Sequence, residues 1–283
     1  MIAKTDDSAD KMSTSRRQVS FSVIMPAYNR KYCIDQAIQS VLSQKYDGFE
    51  LLIVDDCSTD GTSDYIKATY NEEIKKGEII LIPAGKVGCA GARSIGLSHA
   101  KNDWICYLDT DNRMMPNYFD TFNRCILENP GYQCFYAKML LRNSGHVFGM
   151  PFSFFELLQA NFIDTGIFVH SSALYRELGG PDVSLTSLED WDLAIRYTAR
   201  HKPYFIDDVV LDYNDVYSGD RMSEDVNLST NNAPKLMAKN ILVNVGFLAK
   251  NLHPPESLKW ALKHLLRISF YKIRKIFSGC FFR

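Results

Sequence analysis

The chain has 283 residues, 46% of them hydrophobic, with 32 lysines and arginines against 33 acidic residues for a formal net charge of −1. That length suits one large α/β domain or a domain with an appendage, and the balanced charge gives no global attraction to nucleic acid. Seven scattered cysteines with no Cys-x-x-Cys pair argue against a disulfide framework or a zinc site and favour a reducing, cytoplasmic setting.

Residues 1–18 are too polar to offset the entropy of ordering them and are expected to form a disordered lead. They lack the apolar core of a signal peptide, and no run of about 18 uncharged apolar residues follows to cross a bilayer. Phe21–Met25 reads as a first strand, stopped by Pro26-Ala27-Tyr28-Asn29-Arg30. Ile34, Ala37, Ile38, Val41 and Leu42 then recur at helical spacing. Glu50–Val54 is a second strand running into Asp55-Asp56-Cys57-Ser58-Thr59-Asp60-Gly61-Thr62, whose residue types suit a turn and a helix N-cap. Ile79–Ile82 is a third, followed by Gly85, Gly88 and Gly91 and a helix over Ala92–His99. The fourth, Trp104–Leu108, has no alternating polar face, as suits a parallel strand covered on both sides, and it ends in Asp109-Thr110-Asp111-Asn112.

Strands alternating with helices predict an α/β fold with a parallel, three-layer sheet and right-handed crossovers. All four loops then fall at one edge, where open α/β sheets bind ligands. Carboxylates one residue apart on an extended segment point the same way. Asp109 and Asp111 are therefore candidate ligands of a hard cation whose shell is completed by phosphate oxygens and water. A glycine loop ahead of a helix offers N–H groups to a diphosphate, the planar fork of Arg93 pairs with phosphate, and Tyr28 offers a flat face for a base. The chain has neither Gly-x-x-x-x-Gly-Lys-Ser/Thr nor Gly-x-Gly-x-x-Gly, so NTP hydrolysis and dinucleotide binding lose their main support. An aspartyl phosphatase would carry its Asp-x-Asp after the first strand, and a nucleotidyltransferase a basic glycine-rich loop there. Pro26-Ala27-Tyr28-Asn29 is neither.

Beyond Pro116, helices are expected over Tyr118–Leu127 and Phe152–Asn161, and strands over Phe135–Leu141 and Thr165–His170. Leu188-Glu189-Asp190-Trp191-Asp192 opens a further helix running through Arg196. Acids in a first helical turn offset the macrodipole without any further role, so chemistry and capping both remain open on the local sequence. Histidines such as His146 and His201 are surface or satisfied core residues on base rates. His170, beside the site strand, and Trp191, beside the acidic pair, are the candidate acceptor contacts.

Together these segments resemble the inverting family 2 glycosyltransferases of the GT-A fold. The resemblance covers Phe21 to Tyr213 and rests on five motifs in order: Pro26-Ala27-Tyr28-Asn29, Val54 to Thr62, Gly88 to Gly96 with Ala92-Arg93, Leu108 to Asn112, and Leu188 to Asp192 with Arg196. Ser94 stands where many members carry Asn, and Asn112 where many carry Asp. The resemblance implies a mostly parallel sheet divided into a donor half (19–115) and an acceptor half (116–230), with C-terminal helices over 231–283. It implies a UDP-sugar donor, with Pro26, Tyr28, Asn29, Asp56, Arg93 and Asp109 as donor contacts. Asp109 and Asp111 would hold Mn2+ or Mg2+, Asp190 would be the base and Glu189 the reserve. Bacterial members of this kind add a glucose- or galactose-type sugar to a lipid-linked (undecaprenyl-diphosphate) saccharide for O-antigen, capsule or exopolysaccharide. No Gln-x-x-Arg-Trp signature of processive synthases occurs. The rival is a catalytically inactive carbohydrate- or nucleotide-binding protein on the same fold, against which all five acids are retained. After Glu256 there is no acidic residue but seven positive ones. A helix there would be basic and amphipathic, which predicts peripheral contact through 257–283 with the inner face of the cell membrane.

Overall fold

The structure, a computed structural model, describes residues 18–216. The expected disordered lead and basic C-terminal helix lie outside the described residues. In chain order the elements are β1 (Phe21–Ala27), α1 (Ile34–Leu42), β2 (Phe49–Asp55), α2 (Thr62–Thr69), α3 (Asn71–Lys76), β3 (Ile79–Pro83), α4 (Gly88–His99), β4 (Trp104–Tyr107), β5 (Arg113–Met114) and α5 (Tyr118–Glu128). Then follow β6 (Cys134–Leu141), β7 (Val147–Phe148), α6 (Phe154–Gln159), a 3-10 turn (Thr165–Ile167), β8 (Phe168–Ser171), α7 (Ser172–Leu178), α8 (Glu189–Arg200) and β9 (Tyr204–Tyr213).

The nine strands of the described residues belong to one sheet in the order β3-β2-β1-β4-β8-β6-β9-β5, with β7 added beside β6. The donor and acceptor halves expected from the sequence thus share a single sheet. The first four strands run parallel as expected. Beyond β4 the mostly parallel sheet takes in antiparallel pairs: β8 is antiparallel to both β4 and β6, and β5 is antiparallel to β9. Strand β8 reverses because the chain re-enters the sheet from the end at which β6 finishes, Phe168 pairing with Tyr136 and His170 with Cys134. The expected strand over 165–170 accordingly begins as a 3-10 turn.

Alternation along each strand divides the core between two faces. Val23, Met25, Leu51 and Ile53 pack with Ile34, Ile38 and Val41 of α1 and with Phe119 and Phe122 of α5. Ile24, Leu52, Val54, Ile105 and Tyr107 face α4, α7 and α8 through Leu97, Leu174 and Leu193. Helix α4 lies so close to β1 that a Cβ at Gly96 would stand 2.5 Å from Ile24 Cγ2, so only glycine fits. The parallel register pairs Ala27 with Asp55 and Asp55 with Pro83, and Asp56 N–H donates to Ala27 O at 2.8 Å. The strands therefore end in a row, and the loops after β1, β2, β3 and β4 open on one edge.

Candidate active site

The four non-glycine residues with left-handed backbone among the described residues are Asn29, Cys57, Lys86 and Leu188. Each sits on a loop at this edge: after β1, after β2, ahead of α4 and ahead of α8. Such conformations cost about 1–3 kcal/mol each and persist where the surroundings over-determine them.

The first two loops are tied to each other. Asn29 Oδ1 accepts from Thr59 N–H at 2.8 Å, and Asn29 N–H donates to Ser58 Oγ at 2.9 Å. Asp55 accepts from Ser58 N–H at 3.1 Å and from the Ser63 hydroxyl. Asp56 is buried, and its two oxygens accept from Val87 N–H at 2.5 Å and Gly88 N–H at 2.9 Å. It thereby fixes the glycine loop at the start of α4, a role its sequence position did not disclose. Tyr28 is exposed, as a base-stacking face requires, and Lys86 Nζ lies 5.9 Å from its ring centroid. Pro26 lies within β1, opposite Val54.

Arg93 is the hub. Buried to 4% exposure on α4, it donates through Nη2 to Asp109 Oδ1 and through Nη1 to Glu189 Oε1, both at 2.7 Å. Its Nε–H has no partner among the described residues. The sequence placed the whole fork on phosphate; two of its arms instead join the end of β4 to the first turn of α8. Asp109 and Asp111 come together in a turn, closed by Asn112 N–H to Asp109 O at 3.1 Å, rather than on the extended segment expected. Arg142 Nη1 donates to Asp111 O at 3.4 Å, and the buried Asn112 accepts from Asn214 N–H at 2.8 Å. A neutral amide at position 112 therefore secures the strand end next to β9.

Asp190 and Glu189 adjoin in sequence but differ in environment. Glu189 is buried against Arg93. Asp190 Oδ2 accepts from Asn161 Nδ2–H at 2.8 Å; burial, with Glu189 and Asp164 nearby, pushes its carboxyl up to about 7. Asp164, at the N-cap of the 3-10 turn, accepts from Gly166 N–H at 2.7 Å. Burial and then the negative charge of Asp109, with Asp111 adding to it, push it up to about 6. Neither Asn161 nor Asp164 stood out in the sequence. The available signal was a pair of polar residues flanking the apolar Phe162-Ile163.

Two acceptor candidates are corrected. His170 is fully buried: Tyr107 Oη lies 2.8 Å from its Nε2 and Ser171 O lies 3.0 Å from its Nδ1. Burial lowers its pKa to about 4, so it is neutral and closed to ligand. Trp191 packs in the core with Leu193 and Leu157, and its Nε1–H donates to Leu157 O at 2.6 Å. Its ring is an anchor for α8, not an open sugar platform. Among the described residues no three His, Cys, Asp or Glu side chains form a ready-made metal cage.

A sheet whose parallel strands end in a buried arginine hub and a carboxylate turn, continued by antiparallel strands and an acidic helix start, has the architecture of GT-A glycosyltransferases. The chain belongs to glycosyl transferase family 2, whose model matches residues 22–177. An uncharacterised glycosyltransferase of Haemophilus influenzae is 28% identical over 184 residues, 62% of this chain and 60% of that protein, so the match spans less than two thirds of its length. The Escherichia coli UDP-Glc:alpha-D-GlcNAc-diphosphoundecaprenol beta-1,3-glucosyltransferase WfgD is 35% identical over 108 residues, 38% of this chain and 41% of that one. Among solved structures, Staphylococcus aureus TarS 1-349 in complex with UDP-GlcNAc superposes with a TM-score of 0.71 at 20% identity, covering 89% of this chain and 73% of the other.

Proposed function

We propose that the protein is an inverting, single-addition transferase that moves a glucose- or galactose-type sugar from a UDP-sugar to a hydroxyl of an undecaprenyl-diphosphate-linked saccharide. The observation that carries this reading is Arg93, which ties the carboxylate turn of β4 to the acidic first turn of α8. Groups suited to the donor diphosphate and a group suited to the acceptor proton are thereby held in one crevice.

The carboxyls Asp109, Asp164, Glu189 and Asp190 act on a single buried guanidinium, and Asp111 adds its charge beside Asp164. That surplus of negative charge fits a divalent cation. Asp109 and Asp111 would hold Mn2+ or Mg2+, which supplies positive charge to the diphosphate as it leaves. Asp56 and Tyr28 flank the base, and the unpartnered Arg93 Nε–H is a donor for a diphosphate or ribose oxygen. Asp190 takes the proton of the acceptor hydroxyl while that oxygen bonds to the sugar C1 and the C1–O bond to UDP breaks. A carboxyl raised to about 7 is a stronger proton acceptor than an ordinary one and is still largely ionised above neutrality. Glu189, engaged by Arg93, balances charge instead. The lipid-linked acceptor and UDP-glucose are suggested by WfgD, and UDP by the TarS complex. A basic segment over 257–283 would keep the enzyme at the membrane where such an acceptor lies.

The experiment is a screen of UDP-sugars against undecaprenyl-diphosphate-sugar analogues with Mn2+ or Mg2+. Metal-dependent transfer to a diphosphate-lipid sugar is the expected result. Exclusive transfer to protein or soluble metabolites overturns the lipid-linked reading, and UDP-sugar binding with no transfer to any acceptor favours the inactive-binder rival.

A further inference from the structure

Asn161 lies between α6 and the 3-10 turn on a segment that is fastened from both sides. Phe162 and Ile163 beside it are buried in the core, and the preceding α6 is held to α8 by the bond from Trp191 Nε1–H to Leu157 O. Its side-chain amide has a defined orientation. Ile163 N–H, which can only donate, gives its hydrogen to Asn161 Oδ1 at 3.1 Å. The Nδ2–H2 end must then face Asp190 Oδ2, 2.8 Å away, as a donor. A backbone bond thus selects which end of the amide meets the carboxylate.

Resting on the assignment of Asp190 as base, we infer that Asn161 is a positioning residue that fixes the plane of the Asp190 carboxylate and keeps it ionised for the acceptor hydroxyl. A carboxylate has about four lone-pair sites, so one amide bond leaves room for the incoming hydroxyl. Without that bond, χ2 of Asp190 is a broad torsion, and reacting groups out of alignment cost rate steeply. The donor also opposes the other influences on Asp190. Glu189 on α8 and Asp164 ahead of the 3-10 turn both add negative charge beside it, and Arg93 on α4 is the cation acting against them. A hydrogen bond donated to the charged form favours that form.

The test compares Asn161→Asp, which keeps the acceptor for Ile163 N–H but replaces the donor with a carboxyl, with Asn161→Ala, which removes the donor without adding charge. In the full chain, both are expected to bind UDP with Mn2+ within about threefold of wild type. The kcat at pH 7 is expected to fall by about 10²-fold in Asn161→Asp and less in Asn161→Ala, the range of a misplaced proton acceptor. The acid limb of kcat should move to higher pH in both, with Asn161→Ala recovering most of its activity near pH 9. In an Asp190→Asn background Asn161→Asp should cost nothing further, because both act through one carboxylate. An unmoved acid limb in Asn161→Ala, or an equal loss with and without Asp190, overturns the inference. Full activity in Asp190→Asn alone would instead defeat the base assignment on which it rests.

Discussion

Asp111, in the turn after β4, is expected to share a cation with Asp109. Asp111→Asn removes half of that anionic pair, so it should abolish the gain in UDP-sugar affinity that Mn2+ gives wild type, read by calorimetric titration with and without the metal. Undiminished transfer by this variant in EDTA would remove the cation from the account. His170 is a fully buried imidazole with its pKa lowered to about 4 from 6.5. Below pH 6.5 the unfolded chain takes up a proton that the folded one refuses. Its contribution is complete above that pH and is lost as pH falls toward 4. Asp164 and Asp190, raised to about 6 and about 7, work in the opposite sense: their folded forms retain protons the unfolded chain has released, so stability falls as pH rises from about 4 through those values. The carboxyl terms are common to wild type and His170→Gln and cancel in the comparison. Between pH 7 and pH 5, wild type should lose roughly 2 kcal/mol more urea stability than the variant. Parallel pH profiles would mean that His170 is not held neutral.

At the scale of elements, the donor half was legible because its signals are local. The nearly continuous burial over Phe21–Ala27 and Phe49–Asp55, the helical spacing of Ile34 to Leu42 and the turn chemistry after Val54 each act within a few residues. The acceptor half was less so. Strand β9 (Tyr204–Tyr213) pairs with β6 across a register shift, and β5 and β7 have only two residues each, so their existence depends on partners distant in sequence. The same limit applies to the site. Asp109, Asp111, Glu189 and Asp190 could be named from motifs, whereas Arg93 as a two-carboxylate hub, Asp56 as a clamp on Val87 and Gly88, and Asn161 opposite Asp190 are contacts that only folding creates. Trp191 and His170 were misplaced because an aromatic or imidazole ring beside a site motif has the same sequence signature whether it faces core or crevice. Helix α4 offers a direct test of the packing. Gly96→Ala would force a Cβ to 2.5 Å from Ile24 Cγ2, overpacking that costs about 1–3 kcal/mol. It should lower the urea midpoint and weaken donor binding by shifting Arg93. An unchanged midpoint would show that α4 has slack against β1.

On the scale of the whole molecule, the formal net charge of −1 is unevenly spread: seven positive charges and no acidic residue follow Glu256. Co-sedimentation with anionic liposomes should be lost on truncation after Pro255 while UDP binding is retained; equal, salt-insensitive partitioning of both proteins would remove the membrane role. In the proposed mechanism donor binding and proton removal are separate tasks, borne by the Arg93-linked turn and by Asp190. The most direct measurement is UDP release from a UDP-sugar by the full chain, with lipid-diphosphate acceptor and Mn2+, in wild type and Asp190→Asn, alongside UDP affinity for each. Unchanged UDP affinity, with acceptor-dependent turnover reduced by about 10² or more in the variant, is the expected result. Wild-type turnover by Asp190→Asn would contradict it.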